Sequence, residues 1–148
     1  MLVTRQNKIL SAAIALCMAA FFTMGSAPTA WAGTPAPVPV TITAIYDFST
    51  FPNVAGTFTT SGALTISGSS TMNVGPLAGG TVAHCLVTLI ASDNSGTIVI
   101  DQECQFASSP PKGRWEIVSG TGAYANLNGN GSLTMPPNTE AMTGFIYR

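Results

Sequence analysis

Three groups of residues have the types and spacing to do chemistry. The first is Gly120-Thr121-Gly122-Ala123-Tyr124-Ala125, which follows the apolar run Trp115–Val118 and reads G-x-G-x-x-A. In a dinucleotide-binding turn, such glycines let a pyrophosphate approach the amino end of a following helix. Here no helix can follow. Asn126, Asn128 and Asn130 alternate with Leu127, Gly129 and Gly131, and the next residues read as a strand. Glu140 stands near where a ribose-binding acid is expected, but no parallel partner strand and crossover accompany it. The stretch is therefore read as a turn between strands, and no cofactor is implied.

The second group is His84, Cys85, Asp101 and Cys104. A structural metal site wants four convergent ligands. His84 and Cys85 are neighbours on a strand and point to opposite faces, and the chain has a single histidine. No metal is expected, and His84 alone rules out most familiar catalytic triads. There is also no G-x-S-x-G nucleophile elbow. The third group is the acids. Asp47 and Glu116 are the candidates for an interior carboxyl, each equally suited to solvent. A general acid needs a partner and a poised pKa, and spacing offers no such pair, so no catalytic residue is assigned.

The elements that must position these residues are strands, preceded by an export signal. Met1–Lys8 is basic, Ile9–Met24 is mostly apolar, and Ala30-Trp31-Ala32 closes the segment. That is the layout of a secretory signal peptide with cleavage after Ala32. The apolar run is broken by Ser11 and Thr23 and is short for a membrane-spanning helix. Cys17 lacks the small preceding residue of a lipid-attachment box and leaves with the leader. The expected location is secreted, cell-surface or periplasmic. Residues 33–39, with three prolines, read as an extended arm, and residues 40–148 as a single domain.

After cleavage, six acids face only Lys112, Arg114 and Arg148, a net charge of −3. No basic stripe exists to neutralise phosphates, so nucleic acid is excluded as a partner. From Val40 onward the apolar period is two. Short β-rich segments recur at Ala55–Thr60, Ala63–Ser67, Ser70–Val74, Ala83–Ser92, Thr97–Phe106, Arg114–Ser119, Ser132–Met135 and Met142–Tyr147. Clusters of Gly, Pro, Asn and Ser separate them. This pattern, with no helical stripe, predicts an all-β sandwich or barrel.

One hairpin can be placed in register. With Asn94 and Ser95 at its tip, Cys85 faces Cys104, Val87 faces Gln102, Leu89 faces Ile100 and Ala91 faces Ile98. A slip of one residue would set Val87 and Leu89 against Glu103 and Asp101, so only the first register gathers an apolar side. Directly opposed positions lie roughly 4.5–5.5 Å apart at Cα, within disulfide reach. Export favours the bond, so a Cys85–Cys104 disulfide is expected, stabilising by about 3 kcal/mol.

Gly120-Thr121-Gly122-x-Tyr124-x-x-x-x-Gly129 is similar to a signature late in dirigent proteins and the allene oxide cyclase barrel superfamily. Arg114-Trp115-Glu116-Ile117-Val118 before it, and Thr143-Gly144-Phe145-Ile146-Tyr147 at the end, fit the same pattern. The chain most resembles small exported bacterial members of that group. The resemblance implies an antiparallel, roughly eight-stranded barrel around an apolar cavity. It gives Trp115, Gly120, Thr121, Gly122, Tyr124 and Gly129 a structural role. Relatives often carry arginine where this chain has Asn128, so activity does not transfer with the fold.

Three functions compete. A non-catalytic exported barrel would bind a small apolar ligand, with Val87, Leu89, Ile98, Ile100 and Gln102 as cavity candidates; barrels of about eight strands can hold one small ligand. A cyclase- or dirigent-like enzyme would need at least one buried acid in the cavity. A carbohydrate-binding module would place Tyr46, Trp115 or Tyr124 on one exposed strip. The first is preferred, because the sequence offers a container and no visible reaction centre. A long apolar edge would need pairing, which leaves oligomerisation open.

Overall fold

The computed structural model describes residues 35–148. The leader and the cut after Ala32 lie outside the described residues. Eight strands follow one another: β1 (Val38–Asp47), β2 (Asn53–Gly62), β3 (Ser67–Val74), β4 (Val82–Ala91), β5 (Thr97–Gln105), β6 (Lys112–Gly120), β7 (Asn128–Thr134) and β8 (Thr139–Tyr147). Each pairs antiparallel with the next, and β8 returns to β1, closing an all-β barrel. Closure satisfies every strand edge, which removes the unpaired-edge argument for association. Among the described residues no helix is long and apolar enough to cross a membrane.

The period of two maps onto the wall. On β1, Val40, Ile42, Ala44 and Tyr46 point inward and are buried. On β4 the inward set is Ala83, Cys85, Val87, Leu89 and Ala91, and on β5 it is Ile98, Ile100, Gln102 and Cys104. A barrel of eight strands has an interior that side chains can just fill. Burying each large one, such as Phe58, Leu89 or Met142, contributes about 1.5–3 kcal/mol.

Several expectations shift. The arm ends at 37, because Val38 and Pro39 already pair with Ile146 and Phe145 of β8. Ala63–Ser67 is mostly a connection. The Thr60 hydroxyl accepts from the Ile66 amide at 2.9 Å and donates to the Leu64 carbonyl at 2.8 Å, which folds the chain into a turn. Leu64 and Ile66 then pack against the core from below.

The β4–β5 register differs by two residues from the expected one. Cys85 faces Gln102, Val87 faces Ile100, Leu89 faces Ile98, and Cys104 faces Ala83. The loop is longer because Gly96, at φ +148°, still pairs: its carbonyl accepts from the Ala91 amide at 3.1 Å. Asn94 takes the left-handed conformation at φ +59° within the loop, one that asparagine tolerates. A shift of two keeps every side chain on its expected face. It makes the cysteines diagonal neighbours across the β4–β5 pair and not directly opposed residues. Both are thiols in the structure.

The two barrel ends are built differently. At the lower end, the Gly120–Tyr124 segment folds under the β4–β5 hairpin. The Ala123 amide donates to the Ser95 carbonyl at 2.8 Å, Thr121 bonds Thr97, and the Tyr124 hydroxyl meets Ser95 Oγ at 2.6 Å. Gly122 sits at φ +57°, and a Cβ there would strike the Ser95 carbonyl oxygen. Tyr124 and Leu127 are buried as a floor. The upper end is formed by the loops after β1, β3, β5 and β7, and it stays open.

Candidate functional site

The open upper end contains a cavity of about 210 Å³. Its rim comes from loops rich in aromatic residues and proline. Phe48 and Phe51 follow β1, Phe106 and Pro111 flank the β5–β6 connection, and Met135, Pro136 and Pro137 follow β7. Proline stiffens these loops. Phe51 remains 63% exposed. Met72 and Val74 form the wall further in, and Tyr46 and Glu140 reach the cavity from inside the barrel.

Glu140 is the feature that sequence reasoning missed as a barrel-interior acid. It is the second residue of β8, opposite Ala44, and β8 alternation turns it inward with Met142. It is only 1% exposed. Burial raises its carboxyl from the ordinary 4.5 to about 7, while Tyr46 and then Gln102 pull it back toward acidity. The Tyr46 hydroxyl donates to Glu140 Oε2 at 3.2 Å. Glu140 Oε1 has no partner, and neither has Ser70 Oγ on β3. Burial, followed by the charge of Glu140, drives the Tyr46 hydroxyl far above its usual range. The signal available in the sequence was slight: Glu140 lies two before Met142 in an apolar strand, beside the turn Pro136-Pro137-Asn138.

A polar and sulfur-rich layer surrounds this carboxyl. Gln102 Nε2 donates to Met142 Sδ at 3.3 Å, and Cys104 Sγ donates to Gln102 Oε1 at 3.8 Å. The Cys85 and Cys104 thiols interact: their hydrogen bond lowers the Cys85 thiol and raises that of Cys104, with burial raising both. His84 is exposed on the outer face, opposite Glu103. Among the described residues no group of three or more His, Cys, Asp or Glu side chains could hold a metal ion.

Val87, Leu89, Ile98 and Ile100 are fully buried, but they fill the lower barrel and do not line the mouth cavity. Gln102 alone of that set touches the polar layer. Asp47 is exposed, and its Oδ1 accepts from the Ser49 amide at 3.0 Å, which holds its carboxyl below the usual range. Glu116 is exposed on β6. Tyr46, Trp115 and Tyr124 are all buried, so the exposed aromatic strip of a carbohydrate-binding module is not formed by them.

Trp115 is packed within the wall. Its Nε1 donates to the Ser132 and Thr143 carbonyls at 3.1 and 3.2 Å. Gly131 and Gly144 leave the space its indole fills. Gly120 packs its α-carbon against the Tyr124 carbonyl, and Gly129 lies under Ile146 and Ile117. The glycine signature thus builds the closed end, far along the strands from the mouth.

A larger depression of about 500 Å³ lies on the outer wall, lined by His84, Asp101, Glu103, Arg114 and Glu116. None of these charges is buried, and Arg114 meets Glu103 at 3.5 Å in solvent. Such a pair contributes little.

Residues 47–147 match the model of a family described as "Protein of unknown function (DUF3224)", which spans more than half of the chain. No curated protein and no solved structure matches.

Proposed function

The chain belongs to the DUF3224 family, and from that premise we propose that it is an exported, non-catalytic barrel that binds one small, largely apolar molecule in its mouth. The observation that carries this reading is the rim. Phe48, Phe51 and Phe106 stay exposed around an apolar cavity whose innermost members are Tyr46 and Glu140. Exposed apolar clusters of this kind mark binding sites on soluble proteins, and pockets combining apolar walls with few polar groups suit small ligands. Likeness to the allene oxide cyclase and dirigent barrels belongs to the same proposal.

A second reading is favoured by one observation. A cyclase- or dirigent-like enzyme needs a buried acid, and Glu140, paired with Tyr46, is one. Binding and catalysis would share the same mouth.

Native mass spectrometry of the protein from a secreting host tests the binding reading. A reproducible extra mass that leaves on denaturation supports it. Replacing Phe51 and Phe106 together by alanine should weaken retention of that mass about ten-fold or more while leaving the fold intact, since both rings are exposed. Undiminished retention would place the ligand elsewhere.

A further inference from the structure

Resting on the binding reading, we propose that the ligand is a small lipophilic amine, seated with its ammonium on Glu140 Oε1 and its apolar body among the rim phenylalanines. Glu140 Oε2 is already occupied by the Tyr46 hydroxyl at 3.2 Å, whereas Oε1 is a buried acceptor out of hydrogen-bond range of any donor among the described residues, the nearby Gln102 amide being directed at Met142 Sδ at 3.3 Å. An unmade bond of this kind is costly, and a ligand donor restores it. Ser70, buried on β3, lies beside the Tyr46 hydroxyl in the same wall.

Charge selects among donors. Neither lysine nor arginine lines the cavity among the described residues, so none of these residues brings a positive charge to the Glu140 carboxylate. An alcohol supplies a donor only. A carboxylate ligand supplies repulsion. An ammonium supplies donor and counter-charge together, and charge-assisted bonds are roughly twice as strong as neutral ones. Tyr46, Phe48, Phe51 and Phe106 line the way in, and aromatic rings attract cations. The cavity volume equals about seven waters at roughly 30 Å³ each. That fits an aromatic ring with a one-carbon arm.

The titratable groups facing Glu140 are Tyr46 from β1, Cys85 from β4 and Cys104 from β5. Glu140 is the group among them that exchanges a proton near neutrality, so an amine that requires the carboxylate must displace that proton.

Benzylamine, benzyl alcohol and benzoate, titrated calorimetrically into the intact protein at pH 7, form the test. Two buffers of different ionisation enthalpy report proton release. Benzylamine is expected to bind at least ten-fold more tightly than benzyl alcohol and to release a fraction of a proton. Benzoate is expected to bind weakest. Glu140→Gln should abolish the amine preference and the proton release while keeping the alcohol. Equal binding of amine and alcohol, or amine binding without proton release in the unmodified protein, overturns the amine assignment and leaves the binding barrel standing. Failure of all three to bind overturns both.

Discussion

Replacing Glu140 by glutamine should convert a pH-sensitive barrel into a pH-insensitive one. Glu140 is 1% exposed, and burial raises its carboxyl from 4.5 to about 7. Between those values the folded protein holds a proton that the unfolded chain has lost. Stability must therefore fall as pH rises through this window. The fold is at its best below about 4.5 with respect to this group, and the contribution is gone above about 7. At roughly 1.4 kcal/mol per pH unit, the loss across the window is about 3 kcal/mol. Asp47 and Asp93 are exposed and shifted the other way by the Ser49 and Ser95 hydrogen bonds, so they act at lower pH and in the opposite sense. Glutamine keeps the shape and an acceptor for Tyr46 but never ionises. Urea denaturation of both proteins from pH 4.5 to 8.5 measures the difference. The variant should match the wild type near pH 5 and exceed it by about 3 kcal/mol near pH 8, a magnitude given by the same linkage. Parallel curves would refute the burial argument for Glu140.

Tyr46→Phe removes the one hydrogen bond to Glu140 Oε2, so the pH window should extend upward; a calorimetric or NMR titration of Glu140 that moves down instead would contradict the geometry. Trp115→Ala empties the space beside Gly131 and Gly144 and removes the Nε1 bonds to the Ser132 and Thr143 carbonyls, at a cost of about 3–5 kcal/mol in chemical denaturation. Gly122→Ala forces a side chain into φ +57° and into the Ser95 carbonyl, costing about 1–3 kcal/mol, and unchanged stability would dispute the hairpin contact. Cys85 and Cys104, both fully buried thiols, should resist an aromatic disulfide reagent in the native protein and react together on unfolding; fast native labelling would contradict their placement.

The alternation of Val40, Ile42, Ala44 and Tyr46 by itself determined that these residues share a face, and the same held for the inward sets of β4 and β5. Period-two patterning is a local property, since successive side chains on any strand must point oppositely. The turn residues between the segments were equally local, so most strands were legible, although Ala63–Ser67 read as a further strand and is mostly a connection. Gly120, Gly122 and Gly129 were legible as structural, because the absent helix excluded the nucleotide alternative. Only the tertiary structure decided how far each strand slides along its neighbour. The Cys85–Cys104 pairing shows why: registers two residues apart bury the same face, and a loop two residues longer costs little. Glu140 was hidden for a related reason. A single acid in an apolar strand reads as a tolerated exception, and whether it is solvated depends on strands far away in the chain closing over it. Tyr46 lies on β1 and Gln102 on β5, and barrel closure alone brings them to the carboxyl. Closure likewise decided that the lower barrel would be filled by Val87, Leu89, Ile98 and Ile100, leaving the cavity to the loop phenylalanines at the other end.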